Sequence, residues 1–217
     1  VRAVALVRAA LGQDTPIIQT IFSPLTMAVK LAGNHLDERI LGAGGAIHEA
    51  LARMADDVVA FALASLEAGA DGVFFLAMHA NGSVDRATYD TLGVPYDLAV
   101  LSALRARARS IVGHLHGDNP FFDLADRYPL DAVSWEDRET RPSLSQALTL
   151  TQRCLVGGIG RNQPLVSGTR DDVTAQLRAV IEETGGRRII IAPGCTLPSS
   201  VPEENLRALI TAVQRED

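Results

Sequence analysis

The sequence predicts an α/β fold and, within that class, a (β/α)8 TIM-type barrel. Three observations carry this. Short apolar runs alternate with amphipathic stretches along all 217 residues without a break in composition. Strict alternation of that kind gives parallel strands joined by helical crossovers. Polar or reactive residues stand at the carboxyl end of nearly every apolar run: His79, His114, His116, Glu136, Asp137, Arg161 and Cys195. That is the end where a barrel holds its chemistry. No glycine-rich phosphate loop follows the first strand, which weakens the doubly wound, nucleotide-binding alternative. About six β-then-α units are legible, whereas a barrel of eight usually takes about 250 residues. The expectation is therefore a single barrel domain over 1–217 that lacks its amino-terminal units, in a chain that begins at Val1.

The elements follow in order. Residues 17–22 (Ile-Ile-Gln-Thr-Ile-Phe) form a strand ended by Ser23-Pro24, and a helical region follows. Ile47, Leu51, Met54, Val58, Phe61 and Leu66 recur at helical spacing, which predicts one long helix over 45–68. Gly42-Ala43-Gly44-Gly45 reads as the flexible start of that helix, since no strand precedes it. Ala68-Gly69-Ala70-Asp71-Gly72 stops the helix and turns the chain into a strand at 73–77. Helix 95–109 then leads into strand 111–115, helix 121–128 into strand 131–135, and helix 143–151 into strand 154–159. Helix 171–183 stops at Gly185-Gly186, strand 189–192 follows, and helix 202–215 closes the chain.

Composition excludes several classes of function. A charge of −6, with 20 Lys and Arg scattered along the chain, argues against a nucleic-acid groove. No run approaches the roughly 18 uncharged apolar residues of a membrane span, and the first eight residues do not form a signal peptide. Two cysteines, Cys154 and Cys195, make no disulfide framework and suit a reducing cytoplasm.

The motif richest in chemistry is His114-Leu115-His116, paired with Cys195 after Pro193-Gly194. A strand alternates faces, so both imidazoles point the same way, about 6–7 Å apart along the strand. Two imidazoles and a thiolate from across the mouth make a soft set that holds zinc with one position open. A substrate thiol in that position would be presented as a thiolate. The alternative is two hydrogen-bonded histidines in a polar mouth, with Cys195 packed as a small apolar residue. Trp135-Glu136-Asp137-Arg138 ends a strand. Glu136 or Asp137 is placed as a further ligand, a partner to a histidine or a general base, and Trp135 as a substrate contact. His79 is placed to face substrate, the alternative being a loop histidine on the surface, and Arg161 is placed to hold a carboxylate or phosphate. Asn119-Pro120-Phe121-Phe122 starts a helix and walls the pocket. Cys154, at the far end of its strand, is packing, and His35 and His48 are expected in solvent.

Read together, Phe22-Ser23-Pro24-Leu25-Thr26-Met27-Ala28, Ala68-Gly69-Ala70-Asp71-Gly72, Gly113-His114-Leu115-His116-Gly117, Gly157-Gly158-Ile159, Pro193-Gly194-Cys195-Thr196-Leu197-Pro198 and Val201-Pro202-Glu203-Glu204-Asn205-Leu206-Arg207 resemble the uroporphyrinogen decarboxylase superfamily over almost the whole chain. The resemblance implies a (β/α)8 barrel of which this chain is the carboxyl-terminal two-thirds. The decarboxylase's catalytic aspartate and arginines fall in the missing portion, so no residue here inherits those roles. The corrinoid-dependent methyltransferase branch is the more similar. It binds zinc through a His-x-Cys pair and a Pro-Gly-Cys, to which His114 and Cys195 correspond, while His116 stands where that branch has its first cysteine. The decarboxylases carry Gly-His-Gly in place of Pro-Gly-Cys. The resemblance thus implies a cytoplasmic enzyme performing zinc-dependent methyl or demethyl transfer to a small molecule, with a corrinoid protein as partner and a homodimer as the common assembly. The alternatives are uroporphyrinogen III decarboxylation, a lyase reaction of porphyrin and haem biosynthesis, and a non-catalytic corrinoid or tetrapyrrole carrier.

Overall fold

Six apolar runs pair side by side in the order in which they occur along the chain. In the computed structural model, which describes residues 1–35 and 44–214, they form one parallel sheet of β1 (Ile18–Phe22), β2 (Gly72–Ala77), β3 (Ser110–Leu115), β4 (Ala132–Ser134), β5 (Cys154–Ile159) and β6 (Ile189–Pro193). The order never reverses. A doubly wound sheet requires such a reversal and a barrel does not. Among the described residues β1 and β6 are each paired on one side only.

Helices fill the crossovers. In chain order they are α1 (Arg2–Leu11), α2 (Pro24–Leu31), α3 (Gly45–Glu67), α4 (Arg86–Leu92), α5 (Val94–Arg105), α6 (Leu124–Arg127), α7 (Leu144–Leu150), α8 (Arg170–Thr184) and α9 (Glu203–Val213), with a wide helical turn over Arg161–Val166. Their starts follow capping chemistry: Ser23 caps α2, Ser143 with Gln146 boxes α7, and Thr169 with Asp172 boxes α8. No helix is long and apolar enough to cross a membrane among the described residues.

Two of these helices depart from the sequence reading. The chain ahead of β1 forms α1, of which only Val4 is buried. Arg8 anchors it, donating from Nε to the Gly69 carbonyl at 2.9 Å and pairing with Asp71. The stretch before α5 forms α4, capped by the Asp85 carboxylate accepting from Thr88 N–H at 3.0 Å. Of the glycine-rich start expected for α3, Gly42 and Ala43 lie outside the described residues.

The two faces of the sheet differ. One residue row runs Phe22, Leu76, His114, Ser134, Val156, Ile190 across all six strands. Residues of the opposite parity, such as Val73, Phe75, Ile111, Val133 and Leu155, are fully buried under the helices and form the core. On the row's own face Ile18 and Ile190 keep 37% and 52% of their surface. Thr20 of β1 and Ala192 of β6 nevertheless line one cleft, so the sheet curls toward that face.

Candidate metal centre

β3 ends by delivering two imidazoles to the curled face. His114 lies within the strand and His116 one residue beyond its end, and alternation puts both on the cleft side with ring centroids 5.7 Å apart. His114 is 2% exposed. Its Nδ1 meets Ser134 Oγ at 3.1 Å, and the Phe74 ring stacks on it at 5.5 Å. Its Nε2 is buried without a hydrogen-bond partner among the described residues. A buried polar nitrogen left unpaired is costly, and the cost vanishes if the nitrogen binds something in the cleft.

β6 supplies the third group. Its turn passes so close to β4 that a Cβ on Gly194 would sit 2.9 Å from Glu136 Cα and 3.1 Å from the Trp135 carbonyl oxygen. Only glycine fits there, and the next residue, Cys195, comes to 3.6 Å from His116 Nδ1. The ligating atoms of His114, His116 and Cys195 all lie within 4.8 Å of one another. About 3.5 Å separates ligand atoms round a tetrahedral zinc with bonds of about 2.0–2.3 Å, so the trio fits such an ion with small inward shifts. The His114 and His116 imidazoles pull the Cys195 thiol down to about 6, against burial that pushes it up. Cys195 and Glu136 in turn hold the His116 imidazolium above the usual histidine range, against burial.

Glu136 braces this corner. Its Oε2 accepts the Gly117 N–H at 3.0 Å and lies 3.7 Å from His116 Nδ1. Its Oε1 lies 3.9 Å from Arg161 Nη1, while Arg161 Nε stands 3.8 Å from Glu139. Arg161 lines a separate recess with Glu136, Glu139 and Gly160, on the other side of the Gly194-Cys195 turn. The main cleft, about 330 Å³, is walled by Thr20, Phe74, Leu76, Met78, Val156 and Ala192, with the His/Cys trio at its end.

Other residues singled out in the sequence are placed elsewhere. Trp135 is a correction: it is 0% exposed, edge-on to Phe122 at 4.8 Å, and donates Nε1–H to the Pro142 carbonyl at 2.7 Å. It follows Ser134 by one residue, so it points to the helix side and touches no cleft. Asp137 is also turned away. Its Oδ1 accepts the Gly158 N–H at 3.0 Å, in space that a side chain on Gly157 would fill, and its Oδ2 pairs with Arg138. Burial pushes its carboxyl up to about 6, against that hydrogen bond and Arg138.

His79 stands off the cleft wall, with Nδ1 buried and unpaired among the described residues. Burial first, then Lys30 and His116, lower its pKa. Phe121 packs on Tyr89 at 5.6 Å and Phe122 on Trp135, so neither walls the cleft. Cys154 is half-buried at the strand's far end, and its thiol is raised by burial. His35 and His48 are exposed, and His48 Nδ1 meets Tyr96 OH at 2.6 Å. The sequence reading missed Ser134, Phe74 and Thr20. All three share the parity of His114, with Phe74 and Ser134 in the strands on either side and Thr20 one strand further, and that was the signal available.

The comparisons with known proteins agree with one another. The family model for uroporphyrinogen decarboxylase matches residues 1–216. The methylcobamide:CoM methyltransferase MtbA of Methanosarcina mazei is 23% identical over 211 residues, 96% of this chain and 61% of that protein. The methylcobamide:CoM methyltransferase MtaA of Methanosarcina barkeri is 27% identical over 214 residues, 97% of this chain and 61% of that protein. This chain thus spans 61% of the length of those curated relatives. Among solved structures, a methyltransferase from Methanosarcina mazei superimposes with a TM-score of 0.85 at 21% identity, over 99% of this chain and 63% of that one. A B12-independent methionine synthase from Shewanella sp. W3-18-1 gives 0.68 at 15% identity, over 99% and 66%.

Proposed function

The chain belongs to the uroporphyrinogen decarboxylase family, and from that premise we propose that it is the site-bearing part of an enzyme that moves a methyl group to or from a substrate thiol. The single observation that carries this reading is the convergence of His114, His116 and Cys195, with a buried, unpaired Nε2 on His114. These three residues would hold zinc. Zinc bound there supplies a Lewis acid that turns a substrate thiol into a thiolate at neutral pH.

The remaining roles belong to the chain's own residues. Ser134 meets His114 Nδ1, which orients the ring and leaves Nε2 facing the cleft. Phe74 backs that ring. Glu136 accepts the Gly117 N–H and stands beside His116, where its carboxylate would brace a ligand imidazole. Phe74, Leu76, Met78, Val156 and Ala192 give the thiolate an apolar wall to lie against. The curated relatives are methylcobamide:CoM methyltransferases, which supports a corrinoid, carried on a partner protein, as the other side of the exchange. Two free cysteines suit a cytoplasmic setting.

Decarboxylation of a porphyrinogen is the weaker reading. Its polycarboxylate substrate needs cationic partners, and no Lys or Arg lines the main cleft among the described residues. The test is a thiol-methylation assay with methylcobalamin as donor. Thiol-dependent loss of the methylcobalamin spectrum by the zinc-loaded protein, absent in Cys195→Ser, is expected. No demethylation together with release of carbon dioxide from a porphyrinogen would replace this reading with the lyase one.

A further inference from the structure

Resting on the metal centre of the reading above, we propose that Asp137 is a positioning residue for it. With Arg138 it stands in for a rung that β4 does not supply, fixes the end of β5, and so sets where Cys195 meets the two histidines. Successive residues of a parallel strand turn their N–H and C=O groups to opposite neighbours, and each buried group needs a partner. In β5 the Cys154 N–H goes to the Asp131 carbonyl just ahead of β4, at 3.2 Å, and the Leu155 N–H to the Arg188 carbonyl just ahead of β6, at 2.8 Å. By the same alternation Gly158 addresses the β4 side and Ile159 the β6 side. β4, however, ends at Ser134, opposite Val156, so its ladder stops two residues short of Gly158.

Two consecutive side chains complete that rung. Asp137 Oδ1 accepts the Gly158 N–H at 3.0 Å, and Arg138 donates from Nε to the Gly158 carbonyl at 2.8 Å. The two are paired with each other, Arg138 Nε lying 3.2 Å from Asp137 Oδ2. Arg138 also reaches Glu183 of α8 at 3.4 Å, and Glu183 accepts the Ser145 N–H of α7 at 2.8 Å, so the clamp is tied to two helices. The backbone it holds is bent: Gly158 sits at φ 101°, which glycine alone takes readily. The next residue carries the effect forward. Ile159 pairs with Pro193, and its carbonyl accepts the Gly194 N–H at 3.3 Å. Cys195 follows directly. Its turn is thus held from two sides, by the Ile159 carbonyl and by the Glu136 backbone that leaves no room for a Cβ on Gly194. Asp137 lines no part of the cleft, and it governs the reach of one ligand through the backbone alone.

The test compares Asp137→Ala, Arg138→Met and Leu155→Ala with the unaltered chain. Cobalt(II) in place of zinc reads Cys195 ligation through the thiolate-to-cobalt charge-transfer band, and competition with a chromophoric chelator reads zinc affinity. Leu155 belongs to the same strand but is buried in the core, so its variant reports lost stability alone. Asp137→Ala should weaken zinc binding by about tenfold and diminish the band at saturating cobalt, under conditions where the protein stays folded. Arg138→Met, at the surface, removes the other half of the clamp and should move both readouts the same way, less far. Leu155→Ala should leave both unchanged. A band and an affinity unmoved in Asp137→Ala, or in Arg138→Met if the alanine variant does not fold, would overturn the proposal, and so would an equal loss in Leu155→Ala. If the unaltered chain binds neither metal, the centre under Proposed function falls and this proposal falls with it. Equal metal binding by all four proteins overturns the positioning role alone.

Discussion

At the scale of the residue, His114 shows what alternation does to a histidine. The strand buries it, Ser134 takes one ring nitrogen, and the other is left facing the cleft without a partner. Ser134→Ala should therefore weaken metal binding by about 10–100-fold without unfolding the protein, measured by competition with a chromophoric chelator. Affinity unchanged by the substitution would show that the hydroxyl does not orient the ring. Trp135, one residue further along, teaches the converse. The tetrad Trp135-Glu136-Asp137-Arg138 looked like a mouth cluster, but parity sends Trp135 into the helix layer and lets Glu136 alone reach the site. Trp135→Ala should cost about 3–5 kcal/mol in urea unfolding. The histidine pair was legible because imidazoles two apart on a strand must share a face, and the barrel reading set Cys195 across the mouth from them. The distance at which Cys195 meets them was not legible, because it depends on how closely the Gly194 turn passes Glu136.

At the scale of the element, the apolar runs announced themselves. β5 begins and ends where the sequence predicts, over the apolar run between Arg153 and Gly160. α1 and α4 were harder to see. α1 buries only Val4 and has no side-chain cap, so although Val4, Val7 and Leu11 recur at helical spacing no start signal marks it. α4 did carry a readable signal in Asp85, and Asp85→Ala should cost about 1 kcal/mol.

The start of α5 holds a buried polar cluster. Asp97 Oδ2 accepts from Tyr89 OH at 2.6 Å and from Tyr128 OH at 2.7 Å, and burial pushes the Asp97 carboxyl up from 3.8 to about 7, against those two hydrogen bonds. A raised carboxyl binds its proton more tightly in the folded state. Its contribution to stability is full below about 3.8 and is lost as pH rises through about 7. Comparing urea midpoints from pH 4 to 7.5, the unaltered protein should lose stability relative to Asp97→Asn as pH rises. Parallel curves would show that Asp97 does not titrate in that window.

At the scale of the whole molecule, the sheet is two surfaces with different duties. The outer face is a closed core, while the inner face is a cleft whose walls keep part of their surface exposed. Leu155→Ala, on the outer face, should cost about 2–5 kcal/mol. Ile190→Ala, on the inner face with 52% of its surface exposed, should cost less than about 1 kcal/mol. Equal costs in urea unfolding would contradict the division. Alternation made parallel strands legible and the polar strand ends favoured the sequential order of a barrel, whereas the curl that brings β1 and β6 to one cleft is a tertiary property that no local pattern encodes. That curl is also what allows a cysteine after β6 to meet histidines from β3.

The most direct test of the central claim is metal content by mass spectrometry on protein purified without added metal, beside Cys195→Ser and His114→Ala. The account predicts about one zinc per chain, lost in both variants while their folded spectra persist. An unaltered protein without metal, or zinc retained at full stoichiometry in both variants, would contradict it.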